Sequence, residues 1–313
     1  MRWIRSALLS TFAACLCLLG GPAPAQVHND RNTALRNAVV SLGRCTGTLI
    51  TPRVILTAAH CIPAALREEP PDDRAKDRCL ALPNQHSLAQ SPHEDPFQWT
   101  AFEARAAPTA RFGADSGARR IVMRADAYSL PRCADMALLR LAHDVPEAVA
   151  RPIPVLVLAP HRQVPPPWRD MTLRHAGWGA PKGASVKGAV RQTGPVRGFS
   201  KTRCNLVALP PVRPNGERIL TGDSGSPLLA KIDGPNGKEE HVIAVLFASG
   251  IPDRAACGAR DLRVPRRHGT YTPTWRKQVP ETDSTDLGLW ISHLAPSAVR
   301  IWPELTRLST VLE

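Results

Sequence analysis

The chain has 313 residues, of which 43% are hydrophobic and 21% charged. This ordinary globular composition excludes a mainly disordered chain and collagen-like or coiled-coil fibres. The net charge of +13 permits binding to nucleic acid, an anionic surface or acidic substrates, and does not choose among them.

Residues 1–25 have the three-part pattern of a secretory signal peptide. Two arginines in the first five residues precede an apolar run over 6–19, and Ala23-Pro24-Ala25 forms a small-residue cleavage site. A lipoprotein signal using Cys15 fits less well, because apolar residues continue after it. The run is short for a transmembrane helix, and no later stretch is long and apolar enough to span a bilayer. We therefore predict a secreted or periplasmic protein without a membrane span.

Six of the eight cysteines would remain after signal cleavage: Cys45, Cys61, Cys79, Cys133, Cys204 and Cys257. An even number of cysteines in an exported chain predicts three disulfides, although six cysteines allow many connectivities. The sequence contains neither a C-x-x-C nor an H-x-x-x-H pair. It therefore gives no case for a metal or another cofactor.

Short apolar segments that are rich in β-branched residues predict an all-β sandwich or barrel. The clearest segments are 38–42, 53–57, 136–141 and 241–247. Asp233 to Gly237 predicts a hairpin turn. The one convincing helix is predicted from Pro296 to Leu312, because Val299, Ile301 and later apolar residues share one face.

A proline-rich stretch divides the chain into two halves. Seven prolines fall among the 24 residues 145–168, which predicts a stiff, extended connector. We place the N-terminal half at 26–150, the connector at 151–170, the second half at 171–294 and the C-terminal helix at 295–313. Two long loops are predicted, at about 66–118 and at about 251–286, and the second holds seven basic residues.

The most informative stretch is Gly222-Asp223-Ser224-Gly225-Ser226-Pro227. A serine between glycines on a tight turn can present its Oγ outward, while nearby backbone N–H groups stay unblocked by side chains. Acyl transfer requires this combination of a nucleophile and donors that stabilise a tetrahedral oxyanion. By itself, the stretch could also be a glycine-rich β-turn.

Two further residues complete a catalytic set with Ser224. His60 follows a predicted strand and adjoins Cys61, and Asp135 precedes another strand. Alone, His60 could be a core or surface histidine, and Asp135 a turn residue. Together the three supply base, orienting acid and nucleophile in the chain order His, Asp, Ser, which is the order of the chymotrypsin arrangement.

With these motifs the chain resembles the trypsin-like, chymotrypsin-fold serine proteases, especially their secreted bacterial members. Further similar segments are Val40-Ser41-Leu42, Cys45 to Ile50, Ala176-Gly177-Trp178-Gly179, and Gly288 to Ser292 as a last strand before a helix. The resemblance implies an all-β fold of two antiparallel β-barrels with a C-terminal helix. The N-terminal barrel would carry His60 and Asp135, the second would carry Ser224, and the site would lie in the cleft between them.

The resemblance also implies a role for each residue. Ser224 would be the nucleophile, His60 the general base and then the general acid, and Asp135 the residue that fixes its tautomer. The N–H groups of Gly222 and Ser224 would form the oxyanion hole. Because His60 must be neutral to accept a proton, a pKa near ~6.5 predicts activity that rises through about pH 6–7.

The family's disulfide beside the histidine is matched by Cys45 and Cys61. Pairing Cys79 with Cys133, and Cys204 with Cys257, would tie the two long loops to their barrels.

The start of the mature chain departs from the family pattern. Members often begin, after cleavage, with Ile-Val-Gly-Gly, and the new ammonium pairs with the acid before the serine, here Asp223. No such sequence occurs near residues 26–37. Either signal cleavage makes the working N-terminus, or trimming follows Arg31 or Arg36, or Asp223 is satisfied otherwise.

The specificity region departs as well. Leu220 replaces a frequent cysteine, and Arg218 stands where trypsins carry an acid, so we expect cleavage after basic residues to be disfavoured. Arg218 could point into the pocket and bind acidic side chains, or it could reach solvent because loop lengths differ. Ser249 is a second candidate for the specificity pocket.

The resemblance therefore implies a secreted serine endopeptidase that acts on protein or peptide substrates through an acyl-enzyme intermediate. The alternative is a catalytically silent protease homologue that acts as a secreted binding module. Such homologues usually lack the serine or the histidine, and both are present here. The Arg-rich segment Arg254 to Lys277 could contact polyanions or be a solvated loop, and nothing indicates specific nucleic-acid binding.

Overall fold

The protein is described from a computed structural model. It describes residues 37–63, 66, 95–113, 121–131, 134–158, 172–179, 192–201, 206–210, 219–234, 237–249, 268–274 and 287–302. The predicted signal peptide, Arg218, the predicted pairs Cys79–Cys133 and Cys204–Cys257, and most of the Arg-rich segment lie outside these residues. None of the helices within the described residues is long and apolar enough to cross a membrane.

The strands of the first sheet are β1 (Val39–Ser41), β2 (Thr46–Thr51), β3 (Val54–Thr57), β4 (Thr100–Ala101), β5 (Thr109–Phe112), β6 (Ile121–Ser129) and β7 (Ala137–Leu141). Their order is β4-β6-β5-β1-β2-β3-β7, and β6 also pairs with β7. Six antiparallel strands therefore close into a barrel, and β4 extends it beside β6. Closure removes the free edges that a strand would otherwise present to other chains.

The strands of the second sheet are β8 (Val155–Leu158), β9 (Leu173–Gly177), β10 (Gln192–Pro195), β11 (Arg197–Lys201), β12 (Leu206–Leu209), β13 (Pro227–Gly234), β14 (Gly237–Ser249), β15 (Gly269–Pro273) and β16 (Val299–Trp302). The antiparallel path is β10-β9-β13-β14-β15-β12-β11. Strand β8 adds in parallel to β14, and β16 adds in parallel to β8. Strands β13 and β14 form the predicted hairpin, because Gly234 pairs with Gly237.

The predicted fold class is confirmed: the structure combines a closed antiparallel barrel, a second sheet and a short helix near the C-terminus, α1 (Leu287–Leu294). One continuous core joins the two halves, since buried side chains of the barrel such as Leu49 and Leu138 cluster with Trp178, Leu229 and Val242 of the second half. The helix packs on the barrel, where the indole N–H of Trp290 points to the carbonyl of Pro96 and the hydroxyl of Ser129, at 3.1 Å from each.

The helix α1 precedes the predicted helix, and residues 303–312 of the predicted helix lie outside the described residues. Residues 288–292, predicted as a last strand, are helical because Leu287, Trp290 and Ile291 recur at helical spacing and bury one face. Residues 299–302, predicted as helix, form β16, because they pair in parallel with strand β8. Apolar spacing alone does not separate the two states in such short segments.

Both predicted long loops contain strands. Strands β4 and β5 lie within 66–118, and β5 is part of the closed barrel. Strand β15 lies within 251–286 and is buried, although its threonines Thr270 and Thr272 are polar. Threonine is β-branched and suits a strand, but it weakens the apolar signal from which strands are predicted. The predicted connector 151–170 likewise begins with β8, a buried strand of the second sheet.

A histidine is buried inside the second sheet. His241 lies on β14 with no exposed surface, and its Nδ1 is 3.2 Å from the carbonyl oxygen of Glu239. Burial lowers the pKa of His241 to about 4, although the Glu239 hydrogen bond opposes the shift, and the charge of Arg300 adds to it. The neutral imidazole is therefore the form that the fold accepts.

We expect this histidine to make the fold sensitive to mild acid. An unfolded histidine binds a proton below about pH 6.5, whereas His241 in the fold does so only near pH 4. Stability should therefore fall as the pH drops between these values, by about 3 kcal/mol in total. His241→Leu should flatten this slope in denaturant titrations at several pH values. His143→Gln, at an exposed histidine, should keep it, and equal slopes for wild type and His241→Leu would contradict the assignment.

Candidate active site

The aspartate and histidine predicted to act together are in direct contact. Asp135 Oδ2 lies 2.8 Å from His60 Nδ1, and Asp135 Oδ1 accepts the backbone N–H of His60 at 3.0 Å. The carboxylate is nearly buried, with 5% of its side chain exposed, whereas 25% of the imidazole is exposed. One carboxylate thus fixes both the backbone and the ring of His60, and Nδ1 faces Asp135.

Strand pairing explains why these two residues meet. His60 lies in a short 3₁₀ turn, Ala59–Cys61, just after β3, and Asp135 lies just before β7. Strands β3 and β7 are antiparallel neighbours, and Thr57 pairs with Ala137. The end of one strand and the start of the other therefore lie side by side, which brings residues 75 positions apart within hydrogen-bond distance.

Ser224 lies on a tight turn immediately before β13. The turn is held by N–H groups of Asp223, Gly225 and Ser226, which donate to the carbonyls of Leu220, Leu246 and Asp223 respectively. The N–H groups of Gly222 and Ser224, predicted to bind an oxyanion, are not among these donors. Gly222 and Gly225 have φ values of +101° and +86°, a conformation that favours glycine.

The serine turn packs against the histidine segment through the predicted disulfide. Cys45 and Cys61 are bonded, so this pairing is confirmed. Cys61 Sγ lies 3.7 Å from the carbonyl oxygen of Ser224. The two sulfurs and one ring nitrogen of His60 lie within 4.8 Å of one another. Because the sulfurs are joined to each other, they are not thiolate ligands, and the cluster is a structural clamp rather than a metal site.

The acid that precedes the serine is fully buried. The carboxylate of Asp223 accepts the N–H of Gly179 at 2.7 Å and that of Leu220 at 2.8 Å. Glycines make the room for it, since a Cβ on Gly177 or Gly179 would overlap the carboxylate oxygens. Burial, and then the charge of Asp223, raise the pKa of Tyr271 well above its usual range.

Of the two candidates for the specificity pocket, only Ser249 lies within the described residues. Ser249 is exposed at the end of β14 and pairs with Gly269. It comes three residues after Leu246, whose backbone bonds the serine turn, so it belongs to the same end of the sheet. Arg218 lies outside the described residues, and its role stays a prediction.

Sequence reasoning missed one residue at the centre of this arrangement. Thr46 of β2 is fully buried and makes hydrogen bonds to Gly222, Ser224 and Trp178, all of the second half. Apart from its neighbour Cys45, no local sequence feature distinguishes Thr46 from Thr48, which lies two positions on in the same strand. The signal available was the position of Thr46 next to Cys45, which forms the disulfide beside the histidine.

Comparison with known proteins supports one family. A family model described as Trypsin matches residues 24–80. The matched stretch includes the disulfide and His60, and it ends before Asp135 and Ser224. No curated protein matches the sequence significantly.

The fold and the site define the class of protein: a closed β-barrel and a second sheet, with a histidine–aspartate pair near their junction, have the chymotrypsin-like architecture. The match over residues 24–80 supports the predicted resemblance to the trypsin-like, chymotrypsin-fold serine proteases.

We expect Gly225 to be the least replaceable glycine of the turn. A Cβ there would overlap the carbonyl oxygen of Thr46 and the hydroxyl of Thr57. Gly43 is the matched control, because its φ is similar at +89° and a Cβ would meet nothing within 4 Å. Gly43→Ala should cost only the backbone strain, about 1–2 kcal/mol, whereas Gly225→Ala should cost clearly more in denaturant unfolding. Equal losses of unfolding free energy in the two variants would contradict this prediction, because they would show that the neighbouring atoms move aside without an energetic cost.

Proposed function

We propose that this protein is a secreted serine endopeptidase, which hydrolyses peptide bonds by a His60–Asp135–Ser224 triad through an acyl-enzyme intermediate. The observation that carries the proposal is the contact of Asp135 with both the backbone N–H and the ring Nδ1 of His60. A buried carboxylate on Nδ1 favours the tautomer in which Nε2 carries the lone pair, as a general base requires.

In the proposed first half-reaction, Ser224 Oγ attacks the carbonyl carbon of the substrate. The hydroxyl proton passes to His60 Nε2, and the N–H groups of Gly222 and Ser224 stabilise the oxyanion. Asp135 stabilises the imidazolium that forms. The intermediate then collapses: the C–N bond breaks, His60 returns the proton to the leaving amine, and the acyl group stays as an ester on Ser224.

Water completes the proposed cycle. His60 takes a proton from the water, whose oxygen attacks the ester carbon, and the same N–H groups stabilise the second oxyanion. When the ester bond breaks, the proton returns to Ser224 Oγ. The products are an acid and an amine, and no cofactor takes part.

Export is supported by the signal-like pattern of residues 1–25 and by the Cys45–Cys61 disulfide, since structural disulfides persist in oxidising compartments. The proposed polyanion contact through the Arg-rich segment falls on residues that are mostly outside the described part of the chain, and it stays a prediction.

A fluorophosphonate probe tests the triad directly. The mature, oxidised protein should be labelled at Ser224 and should degrade labelled casein. Ser224→Ala should abolish labelling and lower proteolysis by more than about 10³-fold, because the nucleophile is lost. Ser226→Ala is the matched control: its hydroxyl is buried two residues on and lacks a partner among the described residues, so labelling should persist.

The opposite result would favour the alternative function. If the folded wild-type protein does not react with the probe and does not cleave casein, the chain is a catalytically silent homologue that acts by binding.

We further propose that the enzyme needs no new N-terminal ammonium for activity. The carboxylate of Asp223 already has two backbone donors, Gly179 and Leu220, in a space shaped by glycines. Chains that begin at Gln26, Asn32 or Asn37, and a chain with an N-terminal extension before Gln26, should therefore all react with the probe at the same rate. Asp223→Asn should slow all of them, because its NH₂ group would face one of the N–H donors. Activity that appears only after the extension is removed would contradict this proposal.

A further inference from the structure

We propose that Thr46 is a positioning residue that holds Gly222 and Ser224 in the orientation in which their N–H groups bind an oxyanion. The proposal rests on the proposed function, and it adds a residue of the first barrel to a hole built on the second sheet. Thr46 is fully buried.

Thr46 makes four hydrogen bonds, of which three cross to the second half and one stays within the first barrel. Its hydroxyl donates to the carbonyl of Gly222 at 2.8 Å and accepts the N–H of Trp178 at 2.9 Å. Its backbone N–H donates to the carbonyl of Ser224 at 2.7 Å, and its carbonyl accepts the hydroxyl of Thr57 at 2.7 Å. Both residues of the proposed oxyanion hole are therefore bound by the same threonine.

The direction of the hydroxyl proton is fixed by its neighbours. A backbone N–H can only donate, so the Thr46 hydroxyl must accept from Trp178 and is left to donate to an oxygen. The carbonyl of Gly222 is that oxygen. The hydroxyl thus has one donor and one acceptor in place, and a rotation of either partner would leave buried polar groups without hydrogen bonds, which is unfavourable.

Gly222 needs such an external restraint more than its neighbours do. It has no side chain, and its φ of +101° lies in a region that glycine leaves easily. A hydrogen bond on the carbonyl of Gly222 restrains the peptide plane between residues 222 and 223, and the bond on the carbonyl of Ser224 restrains the plane between residues 224 and 225. The plane that carries the N–H of Ser224 lies between these two, and the plane that carries the N–H of Gly222 adjoins the first. The N–H groups of both residues are thereby held in one orientation before substrate arrives. An oxyanion hole is effective because its donors are preorganised in this way.

Thr48 provides a matched control. It lies two residues along the same strand, is 1% exposed, and its hydroxyl lacks a partner among the described residues. Thr48→Val therefore makes the same chemical change in the same strand without removing a hydrogen bond from the serine turn.

The experiment compares Thr46→Val, Thr46→Ser and Thr48→Val in the oxidised, mature protein. Acylation by p-nitrophenyl acetate gives kcat and KM separately, and the fluorophosphonate probe reports the reactivity of Ser224. Thr46→Val should lower kcat by about 10- to 100-fold with little change in KM, because the transition state loses its preorganised donors. Thr46→Ser keeps the hydroxyl and should restore most of the rate. Thr48→Val should match the wild type.

If Thr46→Val does not fold, Thr46→Ala and Thr46→Ser provide a second comparison. Thr46→Ala leaves room for a water that can satisfy the carbonyl of Gly222 and the N–H of Trp178, and it differs from Thr46→Ser by the hydroxyl alone. Thr46→Ala should again be slower in kcat than Thr46→Ser at similar KM.

The two proposals fail in different ways. A wild-type protein that is inert towards both reagents overturns the proposed function, and the positioning role with it. An active wild type overturns the positioning role alone if Thr46→Val retains the kcat of Thr48→Val, or if Thr46→Ser is no faster than Thr46→Ala.

Discussion

The hydrogen bonds of Thr46 join the two halves of this protein at the point where its chemistry is proposed to occur. His60 and Asp135 belong to the first barrel, and Ser224 belongs to a turn of the second sheet. A relative shift of the two sheets would separate the proposed base, His60, from the proposed nucleophile, Ser224. Buried bonds from Thr46 to Gly222 and Ser224 oppose such a shift, because breaking them inside the protein leaves polar groups unsatisfied.

The same rule governs the two buried acids. Asp135 and Asp223 are removed from water. Asp135 accepts the backbone N–H of His60 and faces its ring, and Asp223 accepts the backbone N–H groups of Gly179 and Leu220. Burying a charge without such partners is strongly unfavourable. The glycines at 177 and 179 are part of this compensation, since they leave the space that the carboxylate of Asp223 occupies. The absence of a Cβ at these two glycines is therefore as important for the site as the side chains that line it.

The strands that the sequence predicted well are those whose burial depends on apolar, β-branched residues, such as β3 and β14. Those it missed depend on their neighbours. Strand β15 is threonine-rich and becomes buried between β12 and β14, and β16 is a strand because β8 lies beside it. Residues 288–292 and 299–302 differ from their predicted states for the same reason: apolar segments this short fit either the helical or the strand period, and their tertiary neighbours decide.

For the site, the sequence alone indicated the residue types: a histidine, an acid and a serine between glycines, in a particular chain order, and a cysteine pair beside the histidine. These are local features, set by side-chain chemistry and by the backbone freedom of glycine. The tertiary structure decided which of them meet. The pairing of β3 with β7 brings Asp135 to His60, and packing of the two halves makes Thr46, rather than Thr48, the residue that binds the serine turn. Contacts between distant segments depend on how strands pair and sheets pack, and no local pattern in the chain predicts which of these segments meet.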